Sequence, residues 1–254
     1  MKKIVLITGA SSGIGAACAQ VLADEGYDLL LCARRLERLE DLKKSITEKH
    51  KDINIYIFKL DVRNAKEVKQ AFENLPNEWQ QIDVLINNAG LSQGLDPIQS
   101  GDIGDWDRMI DTNIKGLLYV TRTVAPLMVA RGQGHIVNLG SIAGKEVYPN
   151  GNVYCATKHA VDALNKAMRI DLLSKGIKVT AINPGMVETE FSEVRFHGDT
   201  ERAAAVYQDL QPLSGKDIAD TIAFVLSRPP HVNINDLLIM PTAQATGTIV
   251  NRGK

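Results

Sequence analysis

Residues 3–8 form an apolar run that stops at a glycine, and this run with the turn behind it restricts the possible folds more than any other stretch. A strand buried on both faces of a parallel sheet reads as a continuous aliphatic run of this kind. Behind it stand Thr8-Gly9-Ala10-Ser11-Ser12-Gly13-Ile14-Gly15, and then Ile14, Ala17, Cys18, Val21 and Leu22 recur on one helical face until Gly26. Strand, glycine-rich turn and helix in that order make a cradle for phosphate. Free N–H groups and the positive helix end meet the anion, and missing Cβ atoms permit close approach. The stretch from Gly9 to Gly15 is therefore a candidate cofactor-binding turn. The same glycines also suit a tight turn for backbone reasons alone, so the turn needs companions.

The next residues supply them. Residues 27–33 read as a second strand, followed by Arg34-Arg35 and a charged helix to about residue 50. Dinucleotide-binding units that take NAD place an acidic residue here, about 20 positions past the glycines, to bind the ribose 2′-hydroxyl. This chain has Cys32-Ala33-Arg34-Arg35 instead. A 2′-phosphate would gain charge-assisted hydrogen bonds of about 1.5–3 kcal/mol each, so NADP is favoured. Two merely solvated arginines are the other reading, weakened because cations are unfavourable beside a helix N-terminus. Residues 53–58 form a third strand leading to Leu60-Asp61-Val62, where Asp61 can accept from an adenine amino group. Asn64 reads as a helix N-cap. Residues 83–86 form a fourth strand running into Asn87-Asn88-Ala89-Gly90, small and amide side chains that suit the floor of a nucleotide crevice. For Asn87, satisfying local backbone is an equal reading.

The second half brings titratable chemistry. A long helix opening at Asp105-Trp106 carries Asn113 within an apolar stripe, which requires a hydrogen-bonded partner for the buried amide. A satisfied core asparagine is the simpler account of it. A fifth strand over 134–141 delivers Ser141 at its carboxyl end, and the helix over about 152–175 carries Tyr154 and Lys158 in its first turns. Four residues apart, phenol and ammonium share one face, though the pair by itself equally suits a surface helix bearing an aromatic and a charge. Lowering a tyrosine pKa of about 10 by three units takes about 4 kcal/mol of differential interaction, attainable in a partly dry cleft. A sixth strand over 177–182 leads to Asn183-Pro184-Gly185-Met186-Val187-Glu188-Thr189. Residues 190–210 read as polar and irregular, a lid over the crevice. Ser214-Gly215-Lys216-Asp217 resembles a capping box. Residues 236–240 form a last strand, and the tail from Thr242 lacks periodicity, either disordered or packed on another subunit.

Strands alternating with helices over 254 residues, with no repeat or linker, predict one α/β domain spanning 1–254 with a doubly wound parallel sheet. A net charge of -1 argues against nucleic acid or anionic membrane as the main partner. Cys18, Cys32 and Cys155 have no paired spacing, which suggests neither disulfides nor a metal site and fits a reducing cytoplasm. No segment approaches the roughly 20 apolar residues of a membrane span. The expectation is a soluble chain.

The ordered set Thr8-Gly9-x-x-x-Gly13-x-Gly15, Asn87-Asn88-Ala89-Gly90, Asn113, Ser141, Tyr154-x-x-x-Lys158 and Pro184-Gly185 resembles the short-chain dehydrogenase/reductase family across the chain. Glu190-Phe191-Ser192-Glu193-Val194-Arg195-Phe196 and Pro230-His231-Val232-Asn233-Ile234-Asn235 are similar to its serine/3-hydroxy acid dehydrogenase branch, NADP-dependent homotetramers acting on serine, allo-threonine and related acids. The resemblance implies a Rossmann-type seven-stranded sheet with helices on both faces. It implies Tyr154 as proton carrier, Lys158 lowering its pKa and holding the nicotinamide ribose, Ser141 on the substrate oxygen, and Asn113 ordering the lysine and a water chain. Cofactor contacts would come from the glycine turn, Arg34, Arg35, Asp61, Val62, Asn88, Ala89 and Gly90. The loop bearing Pro184, Gly185, Met186, Val187, Thr189 and Phe191 would add others. Arg195 would meet a substrate carboxylate or face outward. The competing functions are a broad carbonyl or 3-oxoacyl reductase on the same scaffold, and a non-catalytic NADP-binding sensor.

Overall fold

The computed structural model describes residues 2–253. Its strands are β1 (Ile4–Thr8), β2 (Asp28–Ala33), β3 (Ile55–Lys59), β4 (Ile82–Asn87), β5 (Gly134–Leu139), β6 (Ile177–Pro184), β7 (Val187–Glu188), β8 (Leu213–Ser214) and β9 (Asp236–Ile239). Its α-helices are α1 (Gly13–Asp24), α2 (Leu36–Lys49), α3 (Ala65–Glu73), α4 (Ile103–Ile110), α5 (Leu117–Arg131), α6 (Asn152–Leu172), α7 (Phe191–Arg195), α8 (Thr200–Ala205) and α9 (Gly215–Leu226).

Seven strands form one parallel sheet in the order β3-β2-β1-β4-β5-β6-β9. Alternate side chains along a strand point to opposite faces, and here both faces are apolar. Val5 and Ile7 of β1, Leu29 and Leu31 of β2, and Val84 and Ile86 of β4 share a cluster with Cys18 and Leu22 of α1 and Ile218 and Ile222 of α9. Leu6, Leu30, Leu85 and Ile136 face the other way, onto Val68 and Phe72 of α3, Val120 and Val124 of α5, and Val161 of α6. That double burial is why these strands read as unbroken hydrophobic runs. The chain leaves β1 in one direction through β2 and β3, then returns to place β4 on its other side. The reversal opens a crevice beyond the carboxyl ends of β1 and β4.

Three carboxamides, ending on a backbone carbonyl, thread the core beneath that crevice. Asn87 Nδ2 donates to Thr121 Oγ1 and to Asn138 Oδ1, both at 2.9 Å. Asn138 Nδ2 donates to Asn165 Oδ1 at 3.0 Å, and Asn165 Nδ2 to the Asn235 carbonyl at 3.4 Å. Asn87 is thus a core residue bonded to other side chains, neither lining the crevice nor satisfying local backbone.

Several boundaries move. The helix expected at Asp105 begins at Ile103, because Asp102 caps it by accepting from Asp105 N at 2.9 Å. A π-helical turn over Asp111–Gly116 then interrupts it, and Asn113 lies in that turn. The stretch expected to be irregular carries α7 and α8, the latter capped by Asp199 accepting from Arg202 N. Its two roots are joined by the parallel pair β7–β8. Ser214 and Asp217 form the anticipated capping box. The tail neither hangs free nor lacks partners in its own chain. Gln244 Oε1 accepts from Met186 N at 2.7 Å, Arg252 Nη2 donates to the Val206 carbonyl at 3.1 Å, and Gly253 N to the Asp209 carbonyl at 2.9 Å. Polar side chains and backbone hydrogen bonds leave no apolar period to read, which is why the sequence pattern missed this docking. Among the described residues no helix is long and apolar enough to cross a membrane.

Candidate active site

A cleft of about 340 Å³ runs from the glycine turn to the N-terminal turns of α6. At its first end the backbone does the shaping. Gly9 and Gly13 have φ of +67° and +53°, the left-handed region that side chains disfavour. A Cβ on Gly15 would lie 2.5 Å from both Asn88 Nδ2 and the Gly9 carbonyl. Asn88 Nδ2 donates to the Thr8 and Gly9 carbonyls, while Thr8 Oγ1 accepts from the N–H groups of Asn88 and Ala89. The turn and the end of β4 are stapled together. Gly9, Ser11, Ser12, Gly13, Ile14, Asn88, Ala89 and Gly90 line the cleft, whereas Ala10 and Gly15 are buried beneath it.

Arg34 and Arg35 line the rim beyond β2. Arg35 Nη2 donates to Ser12 Oγ at 2.8 Å and Ser11 Oγ at 3.3 Å, and Arg35 Nη1 to Glu190 Oε2 at 3.0 Å. Asp61 and Val62 line the same end. The Asp61 carboxylate is already engaged: Arg63 Nε donates to its two oxygens at 2.9 and 3.0 Å. Those bonds hold the Asp61 carboxyl below the usual carboxylate range against the opposing effect of partial burial.

At the other end Ser141, Tyr154 and Lys158 converge on the cleft, with Asn113 behind them. Ser141 follows β5 and its Oγ accepts from Ala143 N at 3.1 Å. Asn113 Nδ2 donates to the Leu91 carbonyl at 2.8 Å and to Thr157 Oγ1 at 3.0 Å, while its Oδ1 accepts from Leu91 N at 2.9 Å. Its carboxamide is satisfied by the loop after β4 and by α6, with no bond to Lys158. Lys158 Nζ donates to the Leu139 carbonyl at 2.9 Å and lies 5.9 Å from the Tyr154 ring centroid. Burial pulls the Lys158 ammonium down to about 8.

The expected depression of the Tyr154 pKa is not what this geometry produces. Burial dominates and pushes the phenol up; Arg195 and the neighbouring Ser141 hydroxyl pull it down in part. Lys158 is directed at a carbonyl rather than at the phenol. The nearer cation over the tyrosine ring is Arg195, whose guanidinium carbon stands 5.3 Å from the Tyr154 ring centroid and 5.0 Å from that of Phe191. Arg195 Nε donates to Ser92 Oγ and Nη2 to Tyr148 OH, both at 3.1 Å. Arg195 thus packs behind the Tyr154 and Phe191 rings and is not itself among the residues that line the cleft.

Pro184, Gly185, Val187, Thr189 and Phe191 line the cleft; Met186 does not, its N–H being turned to Gln244. Thr189 stands across from Gly13, where an added Cβ would come within 3.2 Å of the threonine Cβ. Arg63, Leu91, Thr112, Gly140, Glu190 and Val194 also line it, unanticipated from the pattern. Leu91 and Gly140 adjoin motif residues and were within reach of the same reasoning. Ser92 and Tyr148 carry no local signal.

A phosphate-bearing dinucleotide fits this surface. The glycine turn offers backbone without side chains, cations stand at one end, and a hydroxyl, a phenol and an ammonium at the other. The short chain dehydrogenase family profile matches residues 3–199. An NADP-dependent 3-hydroxy acid dehydrogenase of Escherichia coli K12 is 44% identical over 95% of this chain and 96% of that protein. Sulfoacetaldehyde reductase 2 of Chromohalobacter salexigens is 44% identical over 96% of each. Among solved structures, the closed form of a serine dehydrogenase complexed with NADP+ superposes with a TM-score of 0.91 at 44% identity, over 95% of this chain and 96% of that one.

Proposed function

The chain belongs to the short-chain dehydrogenase family, and from that premise we propose that it is an NADP-dependent oxidoreductase acting on the hydroxyl or carbonyl of a small 3-hydroxy acid such as L-serine, L-allo-threonine or 3-hydroxypropionate. The observation that carries the substrate class is Arg195. A guanidinium 5.3 Å over the Tyr154 ring would give a carboxylate a charge-assisted partner beside the proton carrier.

When bound, NADP supplies or takes up the hydride. The glycine turn, Asn88, Ala89 and Gly90 would hold its phosphates and ribose, and the cations beyond β2 its 2′-phosphate. Tyr154 carries the proton. Burial keeps the phenol protonated at neutral pH, so the site as folded is set to donate, the requirement for carbonyl reduction. In the reverse direction the phenol must lose that proton, which Arg195 and Ser141 favour. Ser141 donates to the substrate oxygen as negative charge develops there. Lys158 orders the ribose edge, and Asn113 positions α6 by tying it to the loop after β4. Cytoplasmic residence as a homotetramer completes the reading. Phe224 on α9 and Leu238 on the edge strand β9 supply exposed apolar surface for assembly, which light scattering tests.

One observation favours a second substrate. The relative that reduces sulfoacetaldehyde is as similar as the 3-hydroxy acid dehydrogenases, and a guanidinium receives a sulfonate as readily as a carboxylate. Absorbance at 340 nm, followed with NADP and NAD side by side, separates the candidates. The panel is 3-hydroxy acids, sulfoacetaldehyde, bulky ketones and 3-oxoacyl thioesters. Turnover confined to bulky ketones or thioesters would discard the small-acid assignment, and tight NADPH binding without any turnover would make the chain a sensor.

A further inference from the structure

The lid is tied to the cofactor end of the cleft by one carboxylate. Glu190, the residue immediately before α7, reaches 155 positions back along the chain to accept from Arg35 Nη1 at 3.0 Å, and its second oxygen accepts from Arg38 Nη1. Arg35 simultaneously holds Ser11 and Ser12 of the glycine turn. Arg35, Arg38 and the two serine hydroxyls thus form a cluster at the rim beyond β2, and a carboxylate of the chain itself bridges its two guanidiniums.

With the cations beyond β2 taken as the 2′-phosphate site, we propose that Glu190 is a built-in competitor which the 2′-phosphate must displace, and that its displacement frees Arg38 to join Arg35 on the phosphate. The inference rests on the NADP reading above. A phosphate monoester carries up to about two negative charges and three acceptor oxygens, against one charge and two oxygens for Glu190. The side chains involved are roughly two-fifths exposed, at 40% for Arg35, 43% for Arg38 and 39% for Glu190. Ion pairs that open to water are weak, so the carboxylate can be displaced. Left in place it would stand against the phosphate as a like charge. Displacement also cuts the side-chain link from α7 to α2. A cofactor with a 2′-phosphate releases the start of the lid, and one without it does not.

The test uses the full chain with 2′,5′-ADP and 5′-AMP as probes, neither of which reaches the nicotinamide end. Calorimetric titration of Glu190→Gln is expected to show 2′,5′-ADP bound about 3- to 10-fold tighter than by the parent, with 5′-AMP affinity nearly unchanged. Arg38→Gln is expected to weaken 2′,5′-ADP about tenfold and spare 5′-AMP. Glu190→Asp, too short to span both guanidiniums, is expected to behave as Glu190→Gln does. Amide hydrogen exchange over Phe191–Arg195 is expected to quicken in Glu190→Gln without ligand, and in the parent when 2′,5′-ADP is added. Unchanged or weaker 2′,5′-ADP binding by Glu190→Gln overturns the competition, as does equal tightening of 5′-AMP. Undiminished binding by Arg38→Gln overturns its role, and unaltered exchange overturns the tether. A parent without preference for 2′,5′-ADP over 5′-AMP defeats the NADP reading and this inference together, whereas a preference that Glu190→Gln leaves untouched defeats only the inference.

Discussion

At the glycine turn, position is set by main chain: two positive φ angles, a glycine with no room for a Cβ, and carbonyls held by Asn88. Across the cleft, the lid is set by the tips of long side chains. Arg195 spans Ser92, Tyr148 and two aromatic rings, and Glu190 spans two arginines. Main-chain shaping leaves the first region one conformation and no room for change. Side-chain shaping gives the second a position that can be exchanged when a ligand offers better partners. The glycine turn is fixed by main chain, and the lid is held by side-chain partners at both ends of the cleft.

Substitutions can break that contrast, beginning with the largest effect. Tyr154→Phe removes the proton carrier while keeping the ring under Arg195, and is expected to lower kcat by about 10²–10⁴-fold in steady-state assay. Survival of full turnover would leave the catalytic assignment without a basis. Arg195→Ala is expected to cost about 1.5–3 kcal/mol of transition-state binding, read as kcat/KM, for substrates bearing a carboxylate or sulfonate. Uncharged aldehydes would lose far less, and equal losses would make the arginine a packing residue. Gly15→Ala tests the invariant side. With a Cβ 2.5 Å from two neighbours it is expected to destabilise the chain by about 1–3 kcal/mol in denaturant melts and to weaken NADPH binding with it.

The smallest effect is a pH dependence. Lys158 loses its proton near 8 in the folded chain and near its ordinary 10.5 when unfolded, so between those values the unfolded state binds more protons. Stability contributed by this site therefore rises with pH across that window. Lys158→Met removes the titration, so its advantage over the parent in thermal melts is expected to shrink as pH climbs through the window. A constant gap would mean that the ammonium is better solvated than its burial implies.

What the linear chain discloses divides along the same line. The strand runs, the glycine turn and the four-residue spacing of Tyr154 and Lys158 are local, and local periodicity reports them well. The amide at position 113 announces itself by standing in an apolar stripe. Spacing specifies where a Cβ lies, however, and not where a flexible terminus ends. The shared helix face predicts that Lys158 acidifies the tyrosine, but its ammonium finds the Leu139 carbonyl instead. Arg195 meets Ser92 across 103 positions and Glu190 meets Arg35 across 155, contacts for which no periodicity exists. Arg63 clamps Asp61 from only two residues away, yet a loop with no regular geometry hides even so short a reach.

The amide chain under the crevice works like a keyway for the helix that holds the chemistry. Asn165 lies eleven residues beyond Tyr154 on α6, about three turns along the same side, where it docks onto Asn138. Sliding that helix by a single turn, about 5.4 Å, would unseat the key and strand several amides in a dry interior. Alignment of phenol and ammonium is thereby indexed from deep in the protein, at a joint no substrate ever reaches.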